Sequence, residues 1–149
     1  MSEEFLLRLL ERVHGHAGWL AVAARLHPVL VLRSPTRRAR VATWASTLLV
    51  SVVAALGAGL YPSYRVRLKQ AIFKENPTLG GWCERKEHLA VGAVAFAWIG
   101  LVCHLGAFRA DSTSQKRLAA LAHRAYAAAF FLALSVATLG PIVAANRSF

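Results

Sequence analysis

Acidic side chains are scarce in this chain: seven Asp and Glu stand against eighteen Lys and Arg in 149 residues. Charged residues of both signs make up only 17%, where a water-soluble domain carries roughly a quarter. That shortage excludes an ordinary soluble surface. Cysteine is equally sparse. Cys83 and Cys103 sit at opposite ends of one predicted helix, about 30 Å apart at 1.5 Å per residue, too far to bridge. With no C-x-x-C pair, thiol redox and zinc-ribbon motifs are excluded. No nucleophile–base–acid set, phosphate-binding glycine loop or zinc spacing occurs either. The opening MSEEFLLRLLERV has acids where a signal peptide needs bases, and no small-residue cleavage site follows it. We therefore expect the mature chain to begin at or near Met1.

What is present is apolar: 56% of residues are hydrophobic, bunched into blocks near the roughly 20 residues that cross a bilayer. The pattern predicts an all-α, single-domain integral membrane protein with four spans, at about 15–33, 41–61, 84–108 and 118–144. Short connections imply an up-and-down antiparallel bundle with both termini on one side. Ser2 caps a short amphipathic helix over 2–13, expected to lie in the interface, and RVRLKQAIFKE, within the connection 62–83, reads as another. Asn76-Pro77 and Gly80-Gly81 should break that connection. Span two carries no charge and no histidine, and its small residues from Ala54 to Gly59 suit close helix packing. Lys and Arg divide evenly between the two sides but crowd into short loops, SPTRRAR and RADSTSQKR, on the side opposite the termini. The positive-inside rule then places that side in the cytoplasm. Basic residues flanking apolar spans meet lipid headgroups, so nucleic acid is not an expected partner.

Six histidines punctuate the spans, and ionisable groups at membrane depth face bundle interiors and carry function. Mapped by depth, they form two clusters. At the terminal side lie His14 and His16, entering span one, and His88, entering span three. Toward the opposite side lie His27, His104 and His123. Paired imidazoles from different helices hold haem iron in membrane cytochromes. His16 and His27, eleven residues apart, fall within about 20° of one face, whereas His88 and His104 are about 160° out of phase. The preferred pairs are therefore His16 with His88, and His27 with His123; His14 and His104 are substitutes. Arg12, Arg85 and Lys86 on one side, and Arg124 or Arg33 on the other, are placed to pair with haem propionates. Arg25, beside His27, is a further buried-looking charge. In Glu84-Arg85-Lys86-Glu87-His88, Glu84 and His88 share a helix face. That constellation suits a proton acceptor for quinol oxidation or a divalent-metal site.

With four spans and histidines at both depths of the bundle, the chain resembles the small membrane-anchor b-type cytochromes: the haem-binding anchor subunits of succinate dehydrogenase and fumarate reductase, and the cytochrome b561 type. The resemblance lies in the architecture and in His16, His27, His88 and His123. It implies one or two haem b groups, a quinone as possible second cofactor, and residence in a bacterial inner membrane. It also implies electron transfer between a quinone pool and a partner redox subunit, rather than free-standing catalysis. Two other readings stand beside it. One is a cofactor-free accessory or assembly subunit of a larger complex or homo-oligomer. The other is a small membrane enzyme or metal transporter using Glu84, Glu87 and the terminal-side histidines.

Overall fold

Capping, proline placement and helix-forming apolar runs leave this chain little alternative to long helices. The structure, a computed structural model, describes residues 2–32 and 37–146, with Arg37 and Arg38 described through their backbone alone. In order come α1 (Glu3–Val31), α2 (Arg37–Tyr64), a π-helical turn (Arg65–Lys69), α3 (Gln70–Glu75), α4 (Pro77–Ala107) and α5 (Ser112–Ala144). The described residues contain no strand.

The Ser2 hydroxyl accepts the Phe5 N–H at 3.3 Å, and Glu3 and Glu4 complement the positive end of the first turn. The helix that starts there does not stop at residue 13. The expected interfacial helix and the expected first span are one uninterrupted helix of 29 residues. A lone glycine costs only about 1 kcal/mol in a helix interior, so Gly15 and Gly18 do not break it. Pro28 is carried inside the helix, which closes with the Leu32 N–H on the Pro28 carbonyl at 3.0 Å.

The expected connection over 62–83 is also mostly helical. Proline at position 62 lacks the N–H that the Ala58 carbonyl would accept. The π-turn that begins three residues later is where the hydrogen-bond ladder re-registers. Helix then continues to Glu75, and the chain reverses at Asn76, whose side chain accepts the Leu79 N–H at 3.0 Å. Pro77 occupies the first helical position, where its missing N–H costs nothing. Gly80 and Gly81 do not break the chain as expected; they lie inside α4. A Cβ on Gly80 would come within 2.6 Å of the Phe73 ring, so the glycine is what lets α3 close on α4. At the opposite corner, Asp111 caps α5 by accepting from the Thr113 and Ser114 N–H groups, both at 3.0 Å. The expected basic loop 34–40 gives way to helix at Arg37; its first half, Arg33 before it and the tail beyond residue 146 lie outside the described residues.

Neighbours form a ring. The most extensive contact is α4 with α5; α1 lies against α2 and α5, and α2 touches α4. Alanines make the inner seam: Ala97, Ala122 and Ala129 are fully buried, and a Cβ on Gly100 would come within 2.7 Å of the Tyr126 ring. The outer faces are apolar. Leu20, Leu30, Val52, Val91, Val102 and Phe131 are each more than half exposed, which suits lipid rather than water. Three helical stretches, 39–75, 77–107 and 112–144, are long and apolar enough to cross a membrane, and α1 is not among them. By length and composition this is a multi-pass membrane protein.

Candidate functional site

The buried polar side chains collect in the half of the bundle away from the termini. Arg25 from α1, Thr43, Ser46 and Thr47 from α2, and His104 from α4 are the buried polar and charged residues, joined by the fully buried Tyr126 of α5. Their backbones explain the grouping. Thr43, Ser46 and Thr47 repeat at three- and four-residue spacing, one face of a helix. The Thr43 hydroxyl donates to its own helix, to the Arg40 carbonyl at 2.8 Å, which leaves the Thr43 carbonyl to accept the Tyr126 O–H at 3.1 Å. The Tyr126 oxygen in turn accepts from the Thr47 hydroxyl at 2.7 Å, and that hydroxyl lies 3.5 Å from the Ala97 carbonyl of α4. Three helices are thus pinned at one buried point. Span two was expected to serve as packing alone; instead it supplies half of this polar layer.

Arg25 is the anomaly of the layer. It is 0% exposed, yet among the described residues Nε, Nη1 and Nη2 have no hydrogen-bond partner, and the Ser46 hydroxyl of the same layer is likewise unpaired. The electrostatic neighbour of the guanidinium is the Tyr126 phenol, an uncharged group.

The histidines divide by face. His16 and His27 share a face of α1, and both are exposed; His88 on α4 is exposed too. The ring of His16 meets its own helix through Nδ1, on the Arg12 carbonyl at 2.7 Å, and His88 does the same on the Glu84 carbonyl at 2.8 Å. His123 is half-buried with Nε2 unpaired. The two expected substitutes are the inward ones. His14 packs its ring on Gly57 of α2, where an added Cβ would come within 2.8 Å of Cε1. His104 is buried and meets the Phe108 ring edge-on at 5.0 Å, and the Arg40 guanidinium sits 4.3 Å over the same ring. Of the preferred ligands, then, three point outward, and the helices that carry His16 and His88 each pack chiefly on other partners.

The arginines proposed for propionates are engaged elsewhere or exposed. Arg85 lies over the Trp82 ring at 5.0 Å, Arg12 and Arg124 are exposed, and Lys86 lies 6.0 Å from the Tyr64 ring centre. The acidic constellation before His88 serves a different partner. Lys69, delivered by the π-turn, bonds Glu87 at 2.8 Å and lies 3.7 Å from Glu84. The Tyr61 hydroxyl joins them, 3.4 Å from each of Lys69 and Glu87. Among the described residues no group of three or more His, Cys, Asp or Glu is placed to hold a metal ion. An apolar groove of about 410 Å³ runs between α1 and α2, lined by Leu10, Val52, Ala55, Leu56, Gly59 and Leu60, none of them an iron ligand.

Of the residues sequence reasoning passed over, Tyr126, Thr43, Ser46 and Thr47 form the buried layer and Lys69 with Tyr61 the outer network. The signal for the first group was the three-hydroxyl stripe in an otherwise apolar span. No family model matches the chain, and no curated protein or solved structure is similar to it.

Proposed function

We propose that the chain is a cofactor-free helical subunit of a larger membrane assembly, with α1 crossing the bilayer as a fourth span beside the three apolar ones. The observation that carries this reading is the filled interior. Ala97, Ala122, Ala129 and the Gly100–Tyr126 contact pack α4 closely on α5, which favours helix packing as the use of that seam. What the outer surface offers instead is an apolar belt set with imidazoles and Trp19, Trp82 and Trp98, groups suited to lipid interfaces and to neighbouring subunits. A fourth span containing Arg25 is tolerable because that side chain faces the bundle and not the lipid.

A second reading rests on the ring orientation of His16 and His88. A histidine whose Nδ1 donates to a carbonyl presents Nε2 as a free acceptor, the arrangement that prepares a metal ligand. Haem b held at the outer face between this chain and a partner, with electrons passing between a quinone and a redox subunit, would use that arrangement. One measurement separates the two: the reduced-minus-oxidised visible spectrum, with a haem count, of the complex purified with its native partners. A featureless spectrum together with stoichiometric co-purifying subunits is expected. Sharp b-type bands that vanish in His16→Ala and His88→Ala would overturn the cofactor-free reading.

A further inference from the structure

Among the described residues, no side chain neutralises Arg25. The chain's seven carboxylate side chains are Glu3, Glu4, Glu11, Glu75, Glu84, Glu87 and Asp111. Six lie toward the terminal end, where Glu4 pairs with Arg8, Glu3 with Arg67, and Glu84 and Glu87 with Lys69. Glu11, the nearest along α1, is fourteen residues away from Arg25, about 21 Å at 1.5 Å per residue. Asp111 is an exposed cap at the start of α5, its Oδ1 already accepting two N–H groups. A guanidinium cannot shed its proton in a protein, so burial cannot be relieved by neutralisation. Buried charges are paired or hydrogen-bonded because the desolvation cost is otherwise uncompensated.

Unused donors gather at Arg25. Arg25 has five N–H groups, none used; the Ser46 hydroxyl in the same buried layer is unpaired; and Tyr126, against which Arg25 is placed, is fixed by Thr47 and the Thr43 carbonyl. The Ser46 hydroxyl and the His104 imidazole of this layer can accept a hydrogen bond but cannot cancel a charge, so what the guanidinium lacks is an acceptor with a single negative charge. The alanine and glycine packing of the seam limits its size. Around the same end Arg40, Arg109, Lys116, Arg117 and Arg124 raise the local anion concentration. We infer that the layer between Arg25, Ser46 and Tyr126 is a binding site for a small inorganic monoanion of the halide class, which acts as the missing counter-charge of the bundle. This inference is independent of whether the chain carries haem or assembles with partners.

The test uses the full chain in detergent, dialysed into sodium gluconate. Thermal unfolding is followed by tryptophan fluorescence while gluconate is exchanged for chloride, then bromide, at constant ionic strength. Chloride line broadening in NMR is measured on the same samples. The expected result is a saturable rise in Tm of about 5 °C with either halide, and line broadening that bromide competes away, both lost in Arg25→Met. Arg25→Lys keeps the charge without the planar fork and should raise the half-saturating chloride about tenfold. If Arg25→Met fails to fold, the lysine variant and the wild-type line broadening decide the matter. A Tm that does not distinguish halide from gluconate, halide stabilisation that survives in the arginine variants, or stabilisation by vesicles of anionic phospholipid alone would each overturn the proposal.

Discussion

The two halves of the bundle hold buried charge differently. Near the termini, Lys69 is nearly enclosed, its side chain 12% exposed, and meets two carboxylates and a phenol. In the opposite half Arg25 is wholly enclosed and, among the described residues, meets no carboxylate and has no hydrogen-bond partner. The acids are not merely few but sorted, six toward one end, so the same kind of side chain is an internal ion pair in one half and an open valence in the other. Burial alone therefore does not say whether a charge stabilises this protein. Its partners do.

The comparison can be broken or sharpened by substitution. The largest effect is expected from Gly100→Leu. It drives a branched side chain into the Tyr126 ring and the hydrogen bonds that ring makes to α2, and overpacking of this kind costs about 3 kcal/mol. Detergent-unfolding midpoints would register it, and an unchanged midpoint would mean the seam is looser than the packing implies. Arg25→Met in gluconate should go the other way, gaining about 2 kcal/mol, since an apolar side chain replacing an uncompensated buried charge is neutral or stabilising. A loss there would show that the arginine is already satisfied.

Lys69→Met is the matching experiment at the paired end. It leaves Glu87 half-buried without its ammonium, a loss of about 1–2 kcal/mol by the same assay. Equal signs for the Arg25 and Lys69 variants would erase the contrast between the halves. Smaller still is the cap at Asp111. Hydrogen bonds from Ser114, first its backbone N–H and then its hydroxyl, with Thr113 after them, hold this exposed carboxyl below its ordinary value of 3.8. A depressed folded pKa stabilises above the unfolded pKa and loses that contribution as pH falls through the folded one. The gap in Tm between wild type and Asp111→Ala should therefore be present at pH 5 and shrink as the pH falls below 3.8; a gap that persists in strong acid would assign the effect to helix propensity. The smallest effects belong to His16→Ala and His88→Ala, which should change stability by less than about 0.5 kcal/mol because both rings are exposed and bonded only to their own helices.

Apolar blocks made the three long helices readable, and Asn76-Pro77 marked the reversal between α3 and α4 correctly. The face of α1 was not readable. His14 and Arg25 are eleven residues apart, and so are His16 and His27; each pair repeats at about the same phase, and the pairs differ by two residues, about 200°. Periodicity therefore offered two opposite stripes. Haem chemistry favoured the one with His16 and His27, whereas packing of Ala21, Val22 and Pro28 turned the stripe with Arg25 inward. In α2 the absence of charge hid a polar stripe, since Thr43, Ser46 and Thr47 weigh little in hydropathy yet make the buried hydrogen bonds. The π-turn left no trace at all beyond Pro62 three residues before it, because re-registration of a ladder depends on what the next helix offers to pack against.

That turn stores one residue as angle rather than as length. A π-turn absorbs an extra residue, so deleting one residue between positions 65 and 69 would return the ladder to α-helical register and leave the faces on either side where they are. The same deletion in the regular helix before it would swing everything after it through about 100°, and Leu68, Ile72 and the ammonium of Lys69, which now look toward Cys83 and Glu87, would face elsewhere. In this stretch the chain behaves as a screw thread, and the spacing of its residues is a setting of direction.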